Sequence, residues 1–84
     1  MNKHFEDARY YVKRAGETAA KGVREELAPI EARLEVLMGS EEEVPQSKLD
    51  EIRAELETVQ AKAEGEAKKA IAEAREKIAV YRPA

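Results

Sequence analysis

Apolar residues recur along this chain at steps of three and four. From Phe5 through Ala8, Val12, Ala15, Ala19, Val23, Leu27, Ile30 and Leu34 to Leu37 the steps run 3, 4, 3, 4, 4, 4, 3, 4, 3. From Leu49 through Ile52, Leu56, Val59, Ala63, Ala67, Ile71, Ala74 and Ile78 to Tyr81 the same series repeats. Polar and charged residues fill most of the intervening positions, which is the signature of an amphipathic α-helix. The two stripes also mirror one another. Leu37 faces Leu49, Ala19 faces Ala67 and Phe5 faces Tyr81, and the two numbers of every such pair sum to 86. A constant sum describes one helix running out and one running back. The pattern therefore predicts an all-α chain, a long antiparallel two-helix hairpin that resembles a coiled coil.

Punctuation places the boundaries of a single domain spanning 1–84. Helix 1 is predicted over about 3–38, a turn over 39–46 and helix 2 over about 47–81. Asn2 suits an N-cap and Gly39 a left-handed C-terminal position. Pro45 opposes helical continuation through Val44, and Ser47-Lys48-Leu49-Asp50 has the spacing of a capping box with Asp in place of Glu. Pro83 closes helix 2. Pro29 interrupts helix 1, but the mirrored pairing holds on both sides of it, so a kink is expected there rather than a break. Gly65 falls inside helix 2, at a cost of about 1 kcal/mol relative to Ala. The run of fours around Ala19 and Val23, repeated at the mirrored height, is a stutter that loosens a left-handed supercoil.

Side-chain size varies along the stripe. Leu37, Leu49, Leu34, Ile52, Ile30 and Leu56 make large layers near the turn. Ala19, Ala67, Ala63, Gly16, Gly22 and Ala70 make a narrow waist, suited to close packing or to docking of a second hairpin. Fifteen of 84 residues are Ala, and Trp and Cys are absent, so a lone hairpin buries little area per residue. Apolar positions off the seam, including Val36, Met38 and Val80, suggest a second buried face. The expectation is a homodimer forming a four-helix bundle, with Tyr11, Gly16, Ala20, Ala61 and Ala72 on the dimer face.

Charge changes the picture of the surface. Residues 1–22 and 66–84 each carry +2, and residues 23–65 carry −7, within a net −3. Folded at the mirror point, the chain becomes a rod with a basic open tip and an acidic turn. Arg9, Tyr10, Tyr11, Lys13, Arg14, Lys68, Lys69 and Arg75 are the candidate partner or phosphate contacts at the basic tip. Six acidic residues share those two segments with the bases, and Lys and Glu mixed along a helix ordinarily form a solvated face. Nucleic-acid binding is therefore the alternative, and a non-catalytic interaction or structural module with a protein partner is the main expectation. His4 has no partner at metal-ligand spacing, and Glu41-Glu42-Glu43 lacks the pattern of a calcium loop. No nucleophile–base set and no phosphate-binding glycine loop occur, so no catalytic, metal or cofactor residues are assigned. The charged N-terminus and the absence of a long apolar run predict a cytoplasmic protein without a membrane span.

The run Met1-Asn2-Lys3-His4-Phe5-Glu6-Asp7-Ala8-Arg9-Tyr10-Tyr11, with Lys13-Arg14-Ala15, resembles the start of a family of short haloarchaeal proteins of unknown function. Gly22-Val23, Glu25-Glu26-Leu27, Ala63-Glu64-Gly65-Glu66-Ala67-Lys68 and Ala74-Arg75-Glu76-Lys77-Ile78 are similar to it as well. The resemblance implies an archaeal cytoplasmic origin and brings no activity or site residues.

Overall fold

The structure, a computed structural model, describes residues 3–39 and 44–81. Its elements are α1 (Lys3–Thr18), α2 (Lys21–Met38), α3 (Gln46–Lys62) and α4 (Gly65–Ala79), with no strand among the described residues. The all-α expectation holds, but each expected long helix is divided in two. A continuous helix over residues 3–38 would be about 54 Å long at 1.5 Å per residue, whereas the molecule measures 36 × 18 × 16 Å. The hairpin has folded back on itself at its waist.

The result is an up-down-up-down bundle. α1 packs on α4 and on α2, α3 packs on α4, and α2 packs on α3 over the least extensive of the four contacts. The mirrored register survives within it. Phe5 and Tyr81 keep their ring contact, with centroids 4.9 Å apart. Of the twenty mirrored positions all but Leu37 and Tyr81 are buried, and Val44 and Ala70 join the core. The stripe read from the sequence is thus the core of the bundle, bent once at each end of the waist. Each stripe in a two-helix rod is covered from one side, while in the bundle it is covered by two neighbours, so more apolar area leaves water. The bend falls where breaking a layer costs least, because the Ala19 and Ala67 layer contributes little area.

The two joints are built differently. At the first, Ala20 adopts an extended conformation (φ −63°, ψ 157°). The freed carbonyls at the end of α1 are met by Arg24, whose Nε donates to the Gly16 carbonyl at 2.9 Å and whose Nη2 donates to the Ala19 carbonyl at 3.4 Å. The Thr18 hydroxyl donates back to the carbonyls of Arg14 and Ala15. These bonds satisfy part of what the helix end leaves open. At the second joint Ala63 and Glu64 are extended, and Gly65 takes φ +60°. Gly65 is therefore a joint residue and not a helix-interior one, and the left-handed backbone explains why glycine stands there.

Other boundaries also differ from expectation. Gly39 ends α2 in a right-handed conformation (φ −83°), its N–H donating to the Glu35 carbonyl at 3.4 Å, so no left-handed cap forms. Pro45 is the N-cap of α3, which begins at Gln46. Ser47 lies inside the first turn, so the expected capping box is not made. The Gln46 amide instead donates to Asp50 Oδ1 at 3.0 Å. Pro29 lies inside α2 without breaking it. It is exposed, as is Glu25, so the carbonyl that loses its partner is open to water. The expectations for Asn2, for Glu41-Glu42-Glu43 and for Pro83 fall outside the described residues.

Candidate interaction surfaces

Folding back brings the ends of the expected rod together. The Val44 N–H donates to the Tyr81 hydroxyl at 3.4 Å, which places the start of α3 beside the end of α4. The expected opposition of a basic tip and an acidic tip is therefore not found, and charge is matched sideways between helices. Arg9 of α1 lies 4.0 Å from both Glu31 and Glu35 of α2. Arg33 of α2 pairs with Glu51 at 3.2 Å and with Glu55, both on α3. Lys62 of α3 donates to Glu26 of α2 at 2.8 Å. Arg75 of α4 donates to Gln60 Oε1 at 2.6 Å and lies 3.7 Å from Glu57, both on α3. These side chains are partly exposed, so each pair contributes at most about 1 kcal/mol. Their larger effect is to fix which helices are neighbours.

The eight residues expected to form one basic tip are consequently spread over several sides. Arg9 turns toward α2 and Arg75 toward α3, each against carboxylates. Lys13 lines the α1–α2 groove with Gly16, Arg24 and Glu31. Tyr11, Arg14 and Lys69 do come together, in a shallow hollow of about 150 Å³ between α1 and α4, but Glu66 and Glu73 line it too. Tyr10 is exposed and stands edge-on to Tyr11, with ring centroids 5.1 Å apart. Lys68 is exposed on α4, one heptad before Arg75.

The expected dimer face is dispersed as well. Tyr11 lies in the α1–α4 hollow, and Gly16 lies in the α1–α2 groove. Ala20 lines a hollow at the joint end with Ala63 and Glu64. Ala61 and Ala72 are exposed on α3 and α4. The bundle that two hairpins were expected to assemble is closed by the four helices of one chain.

A different surface stands out. Between α2 and α3, the least closely packed neighbours, run two successive hollows. One, of about 360 Å³, has Ala32, Val36, Leu37 and Ile52 as apolar walls and Arg33, Lys48 and Glu51 on its rim. The other, of about 420 Å³, is lined by Pro29, Ile30, Thr58 and Val59 with Glu25, Glu26 and Glu55. The Arg33 ion pairs lie where the two meet. Val36 is 73% exposed, the most exposed large apolar side chain among the described residues. Pro29, Ala32 and Val36 follow one another at steps of three and four on the outer side of α2. That spacing was visible in the sequence as a second, weaker stripe beside the core one.

No buried polar or charged residue occurs among the described residues, and no group of three or more His, Asp or Glu side chains converges there as a metal site. No helix among them is long and apolar enough to cross a membrane. A family model described as a family of unknown function, DUF7553, matches residues 1–84, and the chain belongs to that family. Neither the curated proteins nor the solved structures include a match to it.

Proposed function

We propose that this family member is a non-catalytic interaction module that self-associates through helix faces, with the α2–α3 groove as the contact surface. The observation that carries the reading is the exposed Pro29–Ala32–Val36 strip beside an apolar hollow. Charged rims on both sides of it can set the register of a docking helix, and a second copy supplies the same mixture of Arg, Lys and Glu. Elsewhere among the described residues, charged side chains are matched in ion pairs between helices, which suits a binding surface. Phosphate binding has less behind it, because Arg9 and Arg75 face carboxylates and the Arg14–Lys69 hollow is shared with Glu66 and Glu73.

Size-exclusion chromatography with light scattering tests the reading. The native chain is expected to approach the mass of two chains as concentration rises, and Val36→Glu is expected to return it to one. A single-chain mass at every concentration refutes self-association. A dimer indifferent to Val36→Glu refutes the groove as its site.

A further inference from the structure

The two joints carry a second, independent consequence. Each is only two residues long, Ala19-Ala20 and Ala63-Glu64, between helices that otherwise share one stripe. The stripe keeps its helical spacing across both. Ala15, Ala19, Val23 and Leu27 are spaced by four throughout, and so are Val59, Ala63, Ala67 and Ile71. In a helix running straight through a joint each step of four turns the stripe by about 40°, so these residues fan across one face about 120° wide. An ordinary bundle loop has no reason to preserve that spacing. Nor does either following helix have a side-chain N-cap. Neither Ala20 nor Glu64 makes a side-chain cap bond, and alanine, the best helix former, occupies three of the four joint positions.

From this geometry we infer that the bundle can open at both joints together and exchange halves with a second copy of the chain. The pairings α1 with α4 and α2 with α3 stay within a chain, because they already follow the hairpin register. The contacts α1 with α2 and α3 with α4 pass to the partner. In the exchanged dimer Arg9 meets Glu31 and Glu35 of the other copy, and Arg75 meets its Glu57 and Gln60, so the same core and ion pairs are made twice. What is given up is the joint itself: the bonds from Arg24 to the Gly16 and Ala19 carbonyls and the turn at Gly65. What is gained is continuous helix through four joints. Both joints must open at once, since α1 and α4 share the most extensive helix contact and one cannot leave without the other. Short connections between elements that can pair equally well within or between chains are the setting in which exchange occurs.

Two substitutions act on the joints in opposite directions. Lys21 is the first residue of α2, where proline is favoured, and Ala20 before it already has the extended backbone that proline requires. Lys21→Pro therefore fits the closed bundle, whereas in a continuous helix it would lose a backbone hydrogen bond and press on the Glu17 carbonyl, so it disfavours the straight form at each first joint. Gly65→Ala opposes the closed form, since its φ is +60°, while no neighbouring atom lies within 4 Å of an added Cβ, and it favours the straight helix. Both are made in a Val36→Glu background, so that groove contacts between copies are suppressed and this idea can fail or succeed separately from the proposed function. The chains are warmed at high concentration to near the unfolding midpoint, cooled, diluted, and run by size exclusion with light scattering. A dimer that persists after dilution is expected, raised by more than about tenfold with Gly65→Ala, and lost with Lys21→Pro while circular dichroism stays native. Monomer alone in both the background and Gly65→Ala chains overturns the inference, and so does a dimer that survives Lys21→Pro.

Discussion

Leu56→Ala is the sharpest test of how the core is sealed. Leu56 sits in the middle of α3 with none of its side chain exposed, and Leu34 and Ile52, in neighbouring layers, are equally enclosed. Truncating such a leucine removes its transfer free energy and leaves a cavity, together about 3 kcal/mol. For 84 residues the whole stability is expected to be about 4–13 kcal/mol, so this one change removes a large share of it. The midpoint of thermal unfolding should fall by about 12–24 °C at this chain length. The assay is urea unfolding followed by circular dichroism, with an unchanged slope and a lower midpoint. It is repeated at two protein concentrations about a hundredfold apart, because unfolding of a single-chain bundle does not depend on concentration. A loss below about 1 kcal/mol would refute the reasoning, since it would mean that Leu56 is covered from one side only, as in a lone hairpin. A midpoint that rises with concentration in the Val36→Glu background, before any warming, would refute single-chain closure.

Two further changes probe the places where the chain departs from helix rules. Pro29→Ala restores a missing backbone donor to the Glu25 carbonyl at an exposed position, and should raise stability by about 1–3 kcal/mol; a lower thermal midpoint would show that α2 has adapted its packing to the proline. Arg24→Met keeps the apolar stem but removes the donors to the Gly16 and Ala19 carbonyls, and should cost about 1 kcal/mol in urea unfolding, with faster amide exchange confined to the end of α1; unchanged exchange there would remove the capping role.

The buried stripe was legible because burial leaves a periodic trace. Phe5, Val12, Leu27, Leu34, Leu49, Leu56, Ile71 and Ile78 are all apolar at helical spacing, and all lie in the core. The break at the waist was less legible, because alanines there continue the period and score as good helix. Gly65 was the one visible sign. Its position beside the stutter read as a tolerated defect, whereas a residue required at positive φ is what a joint needs. The first joint had no such sign, since Ala20 adopts an extended backbone that any residue can take, and Arg24 looks like one more surface base until its reach back to Gly16 is seen. The basic tip dispersed for a related reason. Linear charge counts place Arg9 and Arg75 in basic segments, but a folded-back chain sets acids from the middle segment directly beside them.

The deeper reason lies in the step series itself. The order 3, 4, 3, 4, 4, 4, 3, 4, 3 reads the same in both directions. A second half that repeats it is at once a mirror image of the first and a copy displaced by 44 residues, as Phe5 to Leu49, Val12 to Leu56 and Leu27 to Ile71 attest. The mirror describes an antiparallel hairpin of two long helices. The displacement describes two short helical hairpins in tandem, and α1–α2 and α3–α4 are those two, with their joints set apart by the same interval. The bundle satisfies both descriptions, because α1 meets α4 and α2 meets α3 by the mirror while each tandem hairpin closes on itself. An apolar pattern with two solutions specifies the contacts more strongly than the connectivity. The choice between a closed chain and an exchanged pair is then left to two dipeptides and one glycine, and that is why a single proline at position 21 should decide it.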